Sequence, residues 1–140
     1  MKKIIVILVI SFLVLSCAST PPIDIDSADI IVKQWVAGLK EKNIDTLMDT
    51  YWEEAVFTFI PPDGDHIILT GSEEIRAGQE GGFVDRPEIN IQFDAAEIEF
   101  NGFQLTYTLI VEFPDIDLIN ILELEKRGDE WRIINQIVEF

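Results

Sequence analysis

This 140-residue chain contains one histidine and two tyrosines, His66, Tyr51 and Tyr107, as candidates for proton transfer in a pocket. Histidine and tyrosine act as general acids or bases when a pocket holds them against a substrate. The two tyrosines lie within apolar patterns, however, and this is more typical of core tyrosines whose hydroxyls are paired. We therefore treat these residues as candidates for lining a pocket, and we predict no catalytic residue.

His66 is the single histidine and directly follows the turn residues 61–65. A histidine acting as a general base would need a partner, whereas a surface residue beside a turn needs none. Asp63, Asp65 and His66 share one loop tip, and their spacing matches no known metal-ligand pattern. No glycine-rich phosphate-binding motif is present either. The sequence predicts neither a metal site nor a cofactor.

Charge and composition exclude several functional classes. The chain has 26 acidic and 10 basic residues and a net charge of −16, so nucleic-acid phosphates repel it and we expect no nucleic-acid partner. Its hydrophobic fraction of 48% is too high for a disordered chain. Most carboxylates of the predicted strands alternate with apolar residues, which predicts a solvated sheet face. The alternative is a docking patch for a basic envelope protein.

Residues 1–16 have the organisation of a signal peptide. Lys2 and Lys3 precede an apolar run from Ile4 to Leu15 that only Ser11 interrupts. As a helix this run would be about 18 Å long, too short for the roughly 30 Å hydrocarbon core of a membrane. We therefore interpret it as the apolar part of a cleaved signal peptide.

Cys17, the only cysteine, follows the segment Val14-Leu15-Ser16, and together they look like a bacterial lipobox. The motif implies cleavage before Cys17 and attachment of lipid to its sulfur. Two or more acyl chains anchor a protein stably in a bilayer, whereas one does not. The alternative is an incidental free thiol. Residues 17–26 would then be a lipidated tether in the cell envelope. Ala18 implies the outer membrane if the source has two membranes.

Helical spacing indicates three helices near the start of the remaining chain. Ile31, Trp35, Gly38 and Leu39 form one stripe of a helix from about Ser27 to Lys42. Asp45 is a suitable N-cap for a second helix. Residues 70–73 match a capping box that begins a third helix, predicted to end near Ala77 because three glycines follow.

A period of two from Glu88 onward predicts strands, with a disturbance at Ala95-Ala96 that suggests a bulge. Asn101-Gly102 is a strong hairpin signal, and a final hairpin surrounds residues 127–129. Two earlier strands flank the turn at residues 61–64. This order predicts one α+β domain over residues 27–140, in which helices pack on one face of a mostly antiparallel sheet.

Five segments of the chain together match the pattern of a known family: QWVAGL at 34–39, NIDTL at 43–47, YWEEAVF at 51–57, LTGSEEIR at 69–76 and EKRGDEWRI at 125–133. They resemble the NTF2-like (SnoaL-like, cystatin-like) family. The resemblance implies a cone made of three N-terminal helices and a strongly curved sheet of about six strands, with an apolar pocket inside. It also implies a possible homodimer through the outer face of the sheet.

The family includes ketosteroid isomerases, polyketide cyclases, dehydratases and epoxide hydrolases, together with members that have no activity. The isomerase-like pattern has a tyrosine on the first helix where this chain has Trp35, whose indole donates a hydrogen bond but is not a phenolic acid. Its base would fall near residues 57–60 and its protonated acid near residues 120–122, and neither segment contains a carboxylate. We therefore expect no steroid-isomerase chemistry.

These observations favour a membrane-anchored lipoprotein whose domain binds a small apolar ligand or an envelope protein partner without catalysis. The alternative is a small hydratase, isomerase or cyclase that uses a polar residue in the pocket of the cone. Trp35, Tyr51, His66 and Tyr107 are the candidates for lining that pocket.

Overall fold

A computed structural model describes residues 23–140, so the predicted signal peptide and Cys17 lie outside the described residues. Within that range there are three α-helices, seven strands and one 3-10 turn, and none of these helices is long and apolar enough to cross a membrane. The helices are α1 (Ile25–Glu41), α2 (Ile44–Met48) and α3 (Gly71–Phe83). The strands are β1 (Tyr51–Ile60), β2 (Ile67–Thr70), β3 (Asn90–Ile91), β4 (Glu97–Phe100), β5 (Gln104–Glu112), β6 (Asp117–Arg127) and β7 (Glu130–Glu139).

The seven strands form one sheet in the order β2-β1-β7-β6-β5-β3, and β4 pairs with another part of β5. Every pairing is antiparallel except that of β1 with β7, which is parallel. The inner face of this sheet and the helices bury a shared apolar core. The predicted α+β class, with three helices on a curved and mostly antiparallel sheet, is confirmed.

The sheet has seven strands rather than about six because the segment after Glu88 is divided. The pattern predicts a strand with a bulge at Ala95-Ala96, whereas the structure has a 3-10 turn over Phe93–Ala95 between β3 and β4. Phe93 stacks on Tyr107 with 6.5 Å between the ring centroids. The alternation of apolar and polar residues alone predicts extended backbone here. The structure instead has a turn, in which the Phe93 ring packs against the core.

Helix α1 buries Trp35, Gly38 and Leu39 of the predicted stripe together with Ala28 and Val32, whereas Ile31 is only half-buried. It begins at Ile25 because Asp24 is the N-cap, and its carboxylate oxygen Oδ1 accepts a hydrogen bond from the Ser27 backbone N–H at 3.1 Å. The last two residues of the segment predicted as a tether are therefore helical.

Helix α2 is capped by Asn43 and not, as predicted, by Asp45. Asn43 has extended backbone and its Oδ1 accepts from the Thr46 N–H at 3.1 Å. Asp45 lies in the first turn of the helix and pairs instead with Arg76 of α3, with 2.9 Å between Oδ1 and Nη1.

Helix α3 continues to Phe83, so its predicted end near Ala77 is wrong. Glycines weaken an isolated helix, but Gly78 lies so close to β2 that an added Cβ would come within 2.5 Å of Leu69 Cδ1. The predicted capping box is also different, because the Thr70 side chain makes no cap and Glu74 accepts from the Thr70 N–H at 2.7 Å. Tertiary packing outweighs local propensity here.

Gly38 allows α1 and α2 to approach each other closely. A Cβ at this position would lie 2.8 Å from the Leu47 backbone nitrogen and 2.9 Å from Leu47 Cα. We expect Gly38→Ala to lower the free energy of unfolding by about 1–3 kcal/mol, because backbone atoms of α2 would have to move. Urea unfolding at 25 °C measures the change.

Gly81→Ala is the matched control for Gly38→Ala. Gly81 is also helical, but an added Cβ there meets nothing within 4 Å. Alanine favours a helix over glycine by up to about 1 kcal/mol, so this variant should be neutral or more stable. Equal losses in the two variants would contradict the close approach of α1 to α2.

Candidate functional site

A cavity of about 440 Å³ lies between the inner face of the sheet and the helices. This volume is within the usual range for small-molecule sites, roughly 300–1,000 Å³. Leu39 of α1, three residues of α3 and Arg86 in the following loop contribute to its walls. The other lining residues are Phe57, Phe59, Ile67, Leu69, Ile89, Val111, Phe113, Leu118, Asn120, Gln136 and Val138, and those of α3 are Gly78, Gln79 and Gly82.

The register of the strands aligns the lining side chains in rows across the sheet. Phe59 pairs with Ile67 on one side and Val138 on the other, and Val138 pairs in turn with Asn120. A second row contains Leu69, Phe57 and Gln136. Neighbouring residues in a row share one face of a sheet, so the sheet side of the cavity is apolar except at Asn120 and Gln136.

Gln136 faces the cavity because β7 contains an irregularity. Leu124 pairs with Ile133, whereas Glu123 pairs with Asn135, so Ile134 is an extra residue in the ladder. Such a bulge shifts the alternation of side chains by one residue. Without it, the alternation that buries Trp131 and Ile133 would put Asn135 inside and Gln136 outside.

Gln136 belongs to a polar chain of four side chains that crosses the core: Trp35, Tyr51, Gln136 and Asn120. Trp35 Nε1 donates to Tyr51 Oη at 3.0 Å, Tyr51 donates to Gln136 Oε1, and Gln136 Nε2 donates to Asn120 Oδ1 at 2.8 Å. All four residues are at most 4% exposed. Each member is paired, as buried polar groups require.

The indole of Trp35 sets the direction of every bond in the polar chain, because it can only donate. Tyr51 accepts from Trp35, and its own buried proton is satisfied by donating to the carbonyl oxygen of Gln136. The amide nitrogen of Gln136 then faces Asn120, whose oxygen accepts. Asn120 uses its oxygen in this bond and lines the cavity, so its amide nitrogen is the donor available to a molecule there.

Burial raises the pKa of the Tyr51 phenol well above its usual value, and the bond from Trp35 opposes only part of that rise. Tyr51 therefore stays protonated at neutral pH and keeps donating to Gln136. The direction of the polar chain does not change with protonation in this range.

Arg86 is the one charged residue that lines the cavity, judged over the described residues. Its guanidinium donates through Nη2 to the Leu39 carbonyl oxygen near the end of α1 and lies 4.7 Å from the centre of the Phe83 ring. Lys42 Nζ donates to the Arg86 carbonyl oxygen at 2.7 Å. Partial burial lowers the pKa of Arg86, although an arginine stays charged in proteins.

The four residues proposed from the sequence as pocket candidates do not line this cavity. Trp35 and Tyr51 lie behind it in the polar chain, and Tyr51 reaches it only through Gln136. Tyr107 is buried and donates to Asp29 Oδ1 at 2.5 Å, a bond that ties β5 to α1. His66 is exposed in the loop between β1 and β2. The structure brings Trp35 and Tyr51 together and separates both from His66.

The chemistry that the cavity can perform follows from its polar groups, which are three amides and one guanidinium. Among the lining residues from the described range there is no Asp, Glu, His, Tyr or Cys. Amides and guanidinium groups hold a hydrogen-bond acceptor in place but do not act as general acids or bases at neutral pH. No three His, Cys, Asp or Glu side chains of residues 23–140 are placed to hold a metal ion. The arrangement is suited to binding.

Solved structures with the same fold support the resemblance seen in the sequence. An NTF2-like protein from Shewanella baltica is 14% identical, with 86% of this chain and 97% of that chain covered at a TM-score of 0.67. One from Methylobacillus flagellatus is 11% identical, with 82% and 90% covered at a TM-score of 0.68. A protein with a cystatin-like fold from Nostoc punctiforme is 16% identical, with 83% and 90% covered at 0.62.

The functions of these three proteins are unknown, and identities this low show a shared fold alone. The chain thus has the NTF2-like, cystatin-like fold, as its segments predict. No family profile and no curated protein matches the sequence.

Proposed function

We propose that this domain is a non-enzymatic binding module whose cavity holds a small, mostly apolar molecule carrying a hydrogen-bond acceptor. The observation behind the proposal is an apolar cavity of about 440 Å³ in which the polar chain presents one amide donor, Asn120 Nδ2. Apolar walls supply affinity by removing ligand surface from water, and a single well-placed donor orients the ligand.

The alternative of an enzyme that uses Tyr51, Tyr107 or His66 has less support. Such an enzyme would need an acid and a base within reach of one substrate. Tyr51 and Tyr107 donate to protein partners inside the core, and His66 is on the surface.

Filling the cavity tests the binding proposal. Val138 faces the cavity, and its neighbour Ile137 faces the opposite side of β7, so Val138→Phe and Ile137→Phe make similar changes on the two faces. Decanoate, decanal and 1-decanol serve as probes because each combines an apolar chain with an acceptor oxygen. We expect at least one probe to raise the melting temperature of the wild type and of Ile137→Phe by several degrees.

Val138→Phe should lose that shift, because the new ring occupies the space that the probe would fill. Native mass spectrometry of the same samples counts the bound molecules. The proposal fails if no probe binds to the wild type, or if Val138→Phe binds the probes as tightly as the wild type does.

We also propose that lipid on Cys17 anchors the protein in the cell envelope, in the outer membrane where the source has two membranes. Support comes from the lipobox-like segment Val14–Cys17 and from the absence of any other cysteine in the chain. Charge would not substitute for the lipid, since a chain of net charge −16 is repelled by anionic headgroups.

The outer face of the sheet is the surface that we propose for a protein partner, either a second copy or a basic envelope protein. Its centre is apolar and contains Ile110, Ile119, Ile121 and Ile137, and carboxylates such as Glu123 lie beside them. An apolar centre with a charged rim is typical of interfaces. Sedimentation over a range of protein concentrations distinguishes a homodimer from a monomer.

A further inference from the structure

We infer that the ligand of this cavity is an amphiphile with a single negative charge, a carboxylate, and that Arg86 pairs with that charge. The inference rests on the proposed function and adds the chemical class of the ligand. It follows from the charges that surround the cavity, from the unsatisfied atoms of Arg86 and from the way in which its backbone is held.

The cavity differs in charge from the rest of the chain. Acidic residues outnumber basic ones by 26 to 10, yet the described lining contains no carboxylate and one cation, Arg86. Charged groups in apolar surroundings are costly unless they are paired. A cation with no counter-charge beside an apolar cavity is therefore a specific attraction for an anion.

The guanidinium of Arg86 has hydrogen-bonding capacity to spare. Nη2 donates to the Leu39 carbonyl oxygen, whereas Nε is buried and has no partner within residues 23–140. Arg86 also forms none of the ion pairs found in the described part of the chain. Arginine and carboxylate form short, charge-assisted hydrogen bonds, often two at once.

The backbone around Arg86 is held in place before any ligand arrives. Lys42 Nζ donates to the Arg86 carbonyl oxygen at 2.7 Å, and the Phe83 ring lies 4.7 Å from the guanidinium. Pro87 follows directly and restricts the backbone of Arg86 to extended conformations. A charge that is already positioned loses less entropy when a ligand binds. Capping of α1 through Leu39 is the purely structural role that the experiment must separate from ligand pairing.

The number of charges favours a carboxylate over a phosphate. One guanidinium balances one negative charge, whereas a phosphate monoester has a charge of about −1.5 to −2 at neutral pH. A chain of net charge −16 also repels anions at long range, so any preference for an anion over a neutral analogue must come from a local cation.

Calorimetric titration of the purified full chain at pH 7.5 with decanoate, 1-decanol and decyl phosphate tests the inference. We expect the wild type to bind decanoate about 10- to 100-fold more tightly than 1-decanol, the usual gain from a charged hydrogen bond. Arg86→Gln should remove that difference and change the affinity for 1-decanol by less than about twofold. Decyl phosphate should bind more weakly than decanoate.

Arg76→Gln is the matched control, because it removes the same charge from α3 at a partly exposed residue that does not line the cavity. It should leave both affinities unchanged. The comparison of probes uses the wild type itself, so it tests the preference for a carboxylate even if Arg86→Gln does not fold.

Equal affinities of the wild type for decanoate and 1-decanol would overturn the carboxylate assignment and leave the proposed function intact. A folded Arg86→Gln variant that keeps the preference for decanoate would overturn the pairing with Arg86. Tightest binding of decyl phosphate would overturn the choice of a carboxylate over a phosphate. Absence of binding by all three probes would overturn the proposed function as well.

Discussion

Tyr51→Phe is expected to lower the free energy of unfolding by roughly 2–4 kcal/mol, since an unpaired buried polar group typically costs about 1–3 kcal/mol. The substitution removes one oxygen and leaves two groups without a partner, the indole N–H of Trp35 and Oε1 of Gln136. Both residues are at most 2% exposed, so water does not replace the lost bonds. Urea unfolding followed by tryptophan fluorescence measures the loss.

Tyr107→Phe is the matched control, because Tyr107 is also fully buried and also donates one hydrogen bond. Its acceptor, Asp29, is only half-buried and can be rehydrated, so we expect a smaller loss of about 1 kcal/mol. Similar losses of unfolding free energy in the two variants would show that disrupting the polar chain costs no more than removing a single hydrogen bond to a half-buried acceptor.

Tyr51→Phe should also weaken ligand binding, although Tyr51 does not line the cavity. Without the phenol proton, nothing requires Gln136 to present its oxygen to position 51. Its amide can then turn and present that oxygen to Asn120, which in turn reorients. The donor at Asn120 would no longer be fixed, and probe affinity should fall even in the fraction of the variant that is folded.

Cys17→Ala is expected to move nearly all of the protein from the membrane fraction to the soluble fraction. Each buried methylene of an acyl chain contributes about 0.8 kcal/mol, so loss of two or more chains removes most of the membrane affinity. Fractionation of cells followed by immunoblotting measures the distribution, and incorporation of labelled palmitate measures lipid attachment.

Ala18→Ser is the control for Cys17→Ala, because it changes the adjacent residue and retains the thiol that would carry lipid. This variant should stay in the membrane fraction and incorporate label. Lipid anchoring is refuted if Cys17→Ala stays in the membrane fraction after a carbonate wash, or if the wild type incorporates no label.

Much of the fold could be predicted from local patterns, because the sheet and α1 bury one face each. In β5 the buried residues Leu105, Tyr107, Leu109 and Val111 alternate with outward-facing residues that are mostly polar, and a one-residue slip would expose all four. The buried residues of α1 recur at helical spacing, because this helix also buries only one face. The end of α3 could not be predicted, because it depends on contact between Gly78 and Leu69. Leu69 belongs to β2, so the residues of α3 alone do not reveal this contact.

The candidate site was less predictable than the fold. Asn120 interrupts a row of leucines on the inner face of β6, in which Leu122 and Leu124 are buried and Leu118 is half-buried. A polar residue in such a row predicts a buried side chain that has a hydrogen-bond partner. Gln136 gave no such signal, because the bulge at Ile134 reverses the alternation that a pattern would assume. Arg86 lies in a loop, and nothing in its neighbours indicates a cavity.

By itself the sequence predicted an acidic α+β domain, because periodicity and turn residues are local properties, and five of its segments resemble the NTF2-like family. Only the tertiary structure decided which side chains share a space. A single extra residue in β7 turns Gln136 toward Asn120, and the donor-only indole of Trp35 then sets the direction of the bonds as far as the cavity. These relations join residues up to 85 positions apart, so no local pattern contains them.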